Sequence, residues 1–198
     1  MFEELSHLRM KLLVSDFDDA KMRQTAAFMV AAHEGVGQKR DYTGEPYYTH
    51  PIRVASILAQ HSGDVTMAQI QAALLHDVVE DTKVKSEVLR AIFGDEVTDM
   101  VDWLTNPAYP PGYTREERTE EQKTRMGMAP ANAQSVKVAD ILHNCSDLRQ
   151  YATPDYVIRY ISAKIEVITN MQSADSKLRN LALEFLNLEL EKLGAPEA

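Results

Sequence analysis

Four ionisable side chains crowd one end of an apolar run, Leu74-Leu75-His76-Asp77-Val78-Val79-Glu80-Asp81. In a helix, residues four apart share a face, so His76 is expected under Glu80 and Asp77 under Asp81. Burying such groups is costly unless something pairs with them, and a divalent cation carrying a water is the simplest single partner. Asp140 is a second anomaly, a lone carboxylate inside Val136-Lys137-Val138-Ala139-Asp140-Ile141-Leu142. Taken by itself, Asp140 reads about as well as a buried salt-bridge partner or helix cap as it does as a functional carboxylate. Imidazole and carboxylate together suit Mn²⁺, Fe²⁺, Co²⁺ or Zn²⁺. The lone cysteine, Cys145, excludes an intrachain disulfide and a cysteine-based zinc site, and it reads as a small buried filler.

The elements that must position these groups read as helices. Asp18 to His33, Pro51 to His61 and Thr66 to Val79 carry apolar residues at helical spacing. Short helices are expected over Ser86–Phe93 and Glu96–Leu104, a polar surface helix over Arg115–Met126, and further helices over Ala131–Leu148, Asp155–Met171 and Lys177–Leu193. Pro51, Pro130 and Pro154 mark helix starts, and Gly194-Ala195-Pro196 ends the last one. Glycines and prolines cluster in two loops, at Gly35–Pro46 and Pro107–Gly112. No segment alternates with period two, so no sheet is expected. The fold class is all-α, a bundle of about eight to ten helices. His33 and His61 read as locally packed helix ends, and Trp103 as core. The apolar run from Leu181 to Leu193 reads as a buried core helix in preference to a dimer seam.

At 198 residues the chain suits one domain, with a motif-bearing core over about residues 25–150 and C-terminal helices over 155–193. A net charge of −9 disfavours sequence-independent binding to a nucleic-acid backbone. An acidic protein can still bind an anionic small molecule where metal and local lysines or arginines supply positive potential. No 18-residue apolar span is present, and Met1-Phe2-Glu3-Glu4 has acid where a signal peptide would have base. The expected address is cytoplasmic, with no membrane partner.

Read in order, His50, then His76-Asp77, then Asp140 resembles the signature of the HD-domain metal-dependent phosphohydrolases. The strings Gly44-Glu45-Pro46-Tyr47-Tyr48-Thr49-His50-Pro51, Leu74–Thr82 and Val136–Asn144 resemble the hydrolase domain of RelA/SpoT-type alarmone enzymes, and the length resembles the stand-alone small alarmone hydrolases. The resemblance runs from about Thr25 to at least Leu148 and implies an HD-domain helical bundle. It implies that His50, His76, Asp77 and Asp140 hold one divalent ion, typically Mn²⁺, and that Glu80 and Asp81 are the catalytic acids. It places Lys39 and Arg40 at the base, Asn144 near the ribose or the metal, Tyr160 near the nucleotide, and Arg115 or Arg118 on distal phosphates. His143 would support the site without ligating.

The implied activity is removal of pyrophosphate from the ribose 3′ oxygen of (p)ppGpp in the stringent response, with release of GDP or GTP. Guanine is the default base, and adenine, as in (p)ppApp, stays open because Asp41-Tyr42 follows the Lys-Arg pair. Two rivals are another HD phosphohydrolase, such as a nucleotidase or cyclic-nucleotide phosphodiesterase, and a non-catalytic alarmone-binding module. The former generally lacks Glu80-Asp81-Thr82 in this context, and the latter would be free to lose catalytic groups. A homodimer is compatible with either.

Overall fold

A computed structural model describes residues 20–146 and 148–194. The acidic start at Met1–Glu4, the first residues of the helix expected from Asp18, and the Ala195-Pro196 stop lie outside the described residues. Among the described residues nine helices span eight residues or more, and two others are single turns. In chain order they are α1 (Ala20–Gly35), α2 (Thr49–His61), α3 (Met67–Leu75), the turn α4 (Val78–Asp81), α5 (Ser86–Phe93) and α6 (Asp95–Leu104). There follow α7 (Arg115–Met128), α8 (Ala131–Ser146), the turn α9 (Leu148–Tyr151), α10 (Pro154–Asn170) and α11 (Ser176–Glu191). The fold is all-α, as the helical periodicity predicts. The described residues contain no strand, and their one isolated bridge pairs Lys39 with Pro46.

The core is organised around α8. It is buried on nearly every side, from Ala133 through Leu142, because α2, α3, α6 and α11 all pack on it. Helices with apolar residues all round belong inside. Val136, Val138, Ala139, Ile141 and Leu142 meet a core that includes Leu58, Leu74 and Leu186. Each fully enclosed aliphatic side chain of this size contributes about 1.5–3 kcal/mol. Capping boxes start two helices: Thr66 with Gln69 at α3, and Thr114 with Glu117 at α7. Each satisfies two backbone amides that would otherwise lack partners. Pro154 opens α10, where its fixed φ and missing N–H do no harm.

Three expectations need correction. The helix expected over Thr66–Val79 ends at Leu75, and the Ala73 carbonyl accepts the His76 ring Nδ1 at 2.8 Å. His76 and Asp77 therefore sit at a break, not within one continuous helix. Trp103 is only partly buried, packed against the core with the Arg125 guanidinium 5.8 Å from its ring centroid. In α11 the apolar stripe is split: Leu178, Ala182, Phe185, Leu186 and Leu190 are buried, whereas Leu181 and Leu183 only border the core.

Candidate functional site

α2 brings His50 from its first turn, the α3–α4 break brings His76 and Asp77, and the middle of α8 brings Asp140. His50 Nε2 and His76 Nε2 lie 3.2 Å apart. Asp77 Oδ2 is 2.9 Å from His76 Nε2 and 3.5 Å from His50 Nε2. Asp140 Oδ1 is 3.1 Å from His50 Nε2 and 3.6 Å from His76 Nε2. Both histidines and Asp140 are buried.

The ring nitrogens facing away from this cluster fix its chemistry. A carbonyl only accepts, so His76 Nδ1 carries a hydrogen toward Ala73, and the lone pair of the neutral ring points into the cluster. His50 Nδ1 lies 2.6 Å from His143 Nδ1. Burial, with His50, Arg40 and Arg53 nearby, holds His143 well below the usual imidazole range, so it stays neutral and can accept from His50. In that arrangement the His50 lone pair faces the cluster too. His50, His76 and Asp77 offer donor atoms within 4.8 Å of one another, with Asp140 against both rings, and this cluster favours positive charge, whether a ring proton or a metal ion. The local field agrees. Burial pushes His76 down, but the Asp77 charge and the hydrogen bonds that Asp140 and Asp77 accept from the protonated ring outweigh it and raise its pKa to about 10. This donor set fits a borderline divalent ion.

The carboxylates are held in turn. Asp140 Oδ2 accepts from the Lys137 ammonium at 2.8 Å, and Oδ1 accepts from Asn144 Nδ2 at 2.6 Å. Burial alone would raise Asp140, but the Lys137 charge, with His50 and His76, keeps its carboxyl well below the usual range. Lys137 is itself buried, so it supports the site and does not reach solvent. Asp140 thus has the salt bridge that its position in an apolar run suggests, as well as a place in the cluster. Tyr47 donates its hydroxyl to Asp77 Oδ2 at 2.5 Å.

Asp81 and Glu80 diverge. The amide of Gln38 donates to Asp81 Oδ2 at 2.8 Å, and Gln38 Oε1 meets His33 Nδ1 at 2.6 Å. His33, expected to pack only locally, is thus linked to Asp81 through one amide. Burial and the neighbouring Asp77 charge raise the Asp81 pKa against the hydrogen bonds from Gln38 and Tyr47. Glu80 points the other way and accepts from the Asn106 backbone N–H at 2.8 Å. The Asp81 N–H bonds the Asp77 carbonyl at 2.9 Å, so helical spacing persists for that pair. With α3 ended at Leu75, the His76–Glu80 pairing is not part of a continuous helix.

The loop between α1 and α2 presents the remaining groups. Arg40 N–H bonds Glu45 O, and Gly44 N–H bonds Arg40 O, both at 2.9 Å. Gly44 closes this turn at φ +69°, a conformation in which a Cβ is strained. Arg40 then donates to Asn144 Oδ1 at 3.0 Å, which ties the loop to Asp140 through one amide. Lys39 is exposed and is not tied to the cluster in this way. A cleft of about 580 Å³ opens beside Glu80. Glu80, Arg115, Arg118, Tyr160 and Lys164 contribute to its wall. Arg115 donates to the Tyr156 hydroxyl at 2.8 Å, and Arg118 lies 5.1 Å from the Tyr109 ring centroid. Both arginines therefore reach the cleft, and the choice between them that spacing left open is not forced. Cys145 is the buried filler expected, its thiol pushed up to about 12 by burial.

Tyr47, Gln38 and Lys164 were not singled out from the sequence. Tyr47 stands inside the His50 motif string, and this was the available signal for it. Gln38 and Lys164 carry no local pattern.

The comparisons agree with this geometry. The HD domain family model matches residues 26–157. The zebrafish (Danio rerio) guanosine-3′,5′-bis(diphosphate) 3′-pyrophosphohydrolase MESH1 is 35% identical over 175 residues, covering 83% of this chain and 94% of that protein. The bifunctional (p)ppGpp synthase/hydrolase SpoT of Escherichia coli K12 is 32% identical over 197 residues, and the match takes up 26% of that longer protein. A solved structure of a metazoan ortholog of SpoT that hydrolyses ppGpp superposes with a TM-score of 0.76 at 26% identity. It covers 87% of this chain and 97% of its own. No described helix is long and apolar enough to cross a membrane.

Proposed function

The chain belongs to the HD domain family, and from that premise we propose that it is a metal-dependent 3′-pyrophosphohydrolase of guanosine 3′,5′-bis(diphosphate) and its 5′-triphosphate. The observation that carries the reading is the meeting of His50, His76, Asp77 and Asp140 at one buried point, in a chain similar along most of its length to MESH1. These four residues would hold one divalent ion, with Mn²⁺ as our assignment. Such an ion, when bound, lowers the pKa of water and offsets phosphate charge.

The chain's own groups supply the rest. Asp81 has a raised pKa and lies one turn beyond Asp77, a suitable position for taking a proton from the attacking water. Water oxygen adds to the phosphorus joined to the ribose 3′ oxygen, and that P–O bond breaks. The 3′ oxygen leaves as a hydroxyl once it gains a proton, and pyrophosphate is the second product. Glu80, on the cleft wall and held by Asn106, is the other acid in this scheme. Arg40 and Lys39 would meet the base, Asn144 the ribose, and Tyr160 the nucleotide. Arg115 and Arg118 would meet phosphates. We read the whole chain as one hydrolase domain, with a cytosolic address. A homodimer is part of the proposal and is checked by light scattering.

The test is purified protein with Mn²⁺ and a panel of ppGpp, pppGpp and ppApp. GDP or GTP plus pyrophosphate is the expected outcome. Binding without turnover of any of the three would turn the reading into that of a sensor, and release of orthophosphate would turn it into another HD phosphohydrolase.

A further inference from the structure

Three cations on the cleft wall, Arg115, Arg118 and Lys164, form no ion pair with a carboxylate among the described residues, and of these Lys164 alone is not exposed. Lys137 pairs with Asp140 at 2.8 Å, and Lys123 with Glu120 at 2.7 Å. Arg125 donates to the Thr105 and Asp102 carbonyls, and Arg115 to the Tyr156 hydroxyl. Lys164, on α10, is partly buried in the cleft wall. Its ammonium donates to the Gln122 side-chain carbonyl at 2.7 Å and lies 5.5 Å from the Tyr160 ring centroid. Among the described residues no carboxylate forms an ion pair with it. An enclosed charge without a counter-ion costs stability, and the hydrogen bond that Lys164 makes from α10 to α7 is to a neutral amide. Methionine would fill the same volume.

We propose that Lys164 is a phosphate-binding residue, its ammonium taking the distal phosphoryl group of a diphosphate that enters this cleft. The assignment rests on the substrate class proposed above. Three observations join in it. Lys164 shares the cleft wall with Arg115, Arg118 and Glu80. Gln122, which holds its ammonium, also lines a small cavity with Lys137, the residue paired with Asp140. Its pKa is brought down to about 8, by burial first and then by Lys137, with Arg115 also lowering it against Asp140 and Cys145. A dianionic phosphoryl group would reverse that penalty, because a charge-assisted hydrogen bond is strongest where water is scarce. Gln122 on α7 would orient the ammonium, which otherwise has three rotatable donors and no fixed direction.

The experiment uses the full chain with its lysines reductively ¹³C-methylated, and inorganic pyrophosphate as the probe. The Lys164 resonance is identified by its loss in Lys164→Met. It is expected to shift on titration with pyrophosphate, and an unmoved resonance would overturn the proposal. In steady state with Mn²⁺ and ppGpp, Lys164→Met is expected to raise KM, and the inhibition constant of pyrophosphate, by about ten- to a hundredfold, the size of a lost charged hydrogen bond. Change in kcat should be small, and Lys164→Arg should recover most of the loss. The ligand-free melting temperature of Lys164→Met is expected to match or exceed that of the parent. A lower melting temperature with KM unchanged would make Lys164 a packing residue only. If ppGpp is not turned over by the parent, the functional reading fails while the pyrophosphate titration still decides Lys164.

Discussion

His50 can offer its Nε2 to a cation only if its Nδ1 holds the hydrogen. That depends on His143, whose Nδ1 is 2.6 Å away and whose buried ring stays neutral. Groups behind a metal ligand set its tautomer and its aim, and their removal typically weakens metal binding about 10–100-fold. His143→Ala is expected to weaken Mn²⁺ binding within that range, as measured by calorimetry or by electron paramagnetic resonance of free Mn²⁺. His143→Gln puts a carbonyl within reach of His50 and should retain most of the affinity. Parent-like binding by the alanine variant would show that His50 chooses its tautomer without help. At this scale the sequence was informative where a charge stood among apolar neighbours. His76-Asp77 and Asp140 were conspicuous for that reason, and they do converge. The groups that hold them were not: Tyr47 looks like an ordinary aromatic and Gln38 like an ordinary loop amide. Their importance comes from contacts between positions as far apart as 38 and 81, which no local pattern encodes.

Among the elements, α7 is the one whose placement has the most chemical consequence. It is almost wholly polar, and its contacts are chiefly with α10. Its start is fixed by the Thr114–Glu117 box, in which the Thr114 hydroxyl accepts from Glu117 N–H at 3.1 Å and Glu117 accepts from Thr114 N–H at 2.7 Å. Arg115 and Arg118 lie in the first turn so fixed. Thr114→Ala is expected to cost about 1 kcal/mol of helix stability. It should also raise KM for ppGpp several-fold with kcat little changed, because the arginines fray with the turn. Thr66→Ala removes the same kind of box from α3, away from the cleft, and should lower the melting temperature without moving KM. Equal KM effects from both variants would count against α7 as the phosphate-positioning helix. Most helix positions were legible from periodicity, including the polar α7 and the proline starts. The break after Leu75 was not. Apolar spacing continues through Val78 and Val79, so only the competition of the His76 ring for the Ala73 carbonyl marks the end of the helix. The break also lets Asp81 turn toward Gln38 while Glu80 turns toward Asn106.

Across the whole molecule, the four cluster residues come from α2, the α3–α4 break and α8, so the cluster joins segments from residue 50 to residue 140. An ion bound there would tie the three central pieces of the bundle to one another. Unfolding would release it, since the unfolded chain has no preformed site. At free metal a hundred times its dissociation constant, such linkage adds about 2.7 kcal/mol. For a domain of this size that is a rise of roughly 5–10 °C in melting temperature. Mn²⁺ is therefore expected to raise the melting temperature of the chelator-treated protein by this amount, and Asp77→Ala should abolish the increment. Amide exchange should slow in α2, α3 and α8 together, because each contributes to or abuts the cluster, and change least in α5, which packs on α6 at a distance from it. A uniform slowing over all helices would mean that the ion acts only through global stability. No slowing, with the melting temperature unmoved, would remove the metal from the cluster and with it the chemistry proposed for Asp81.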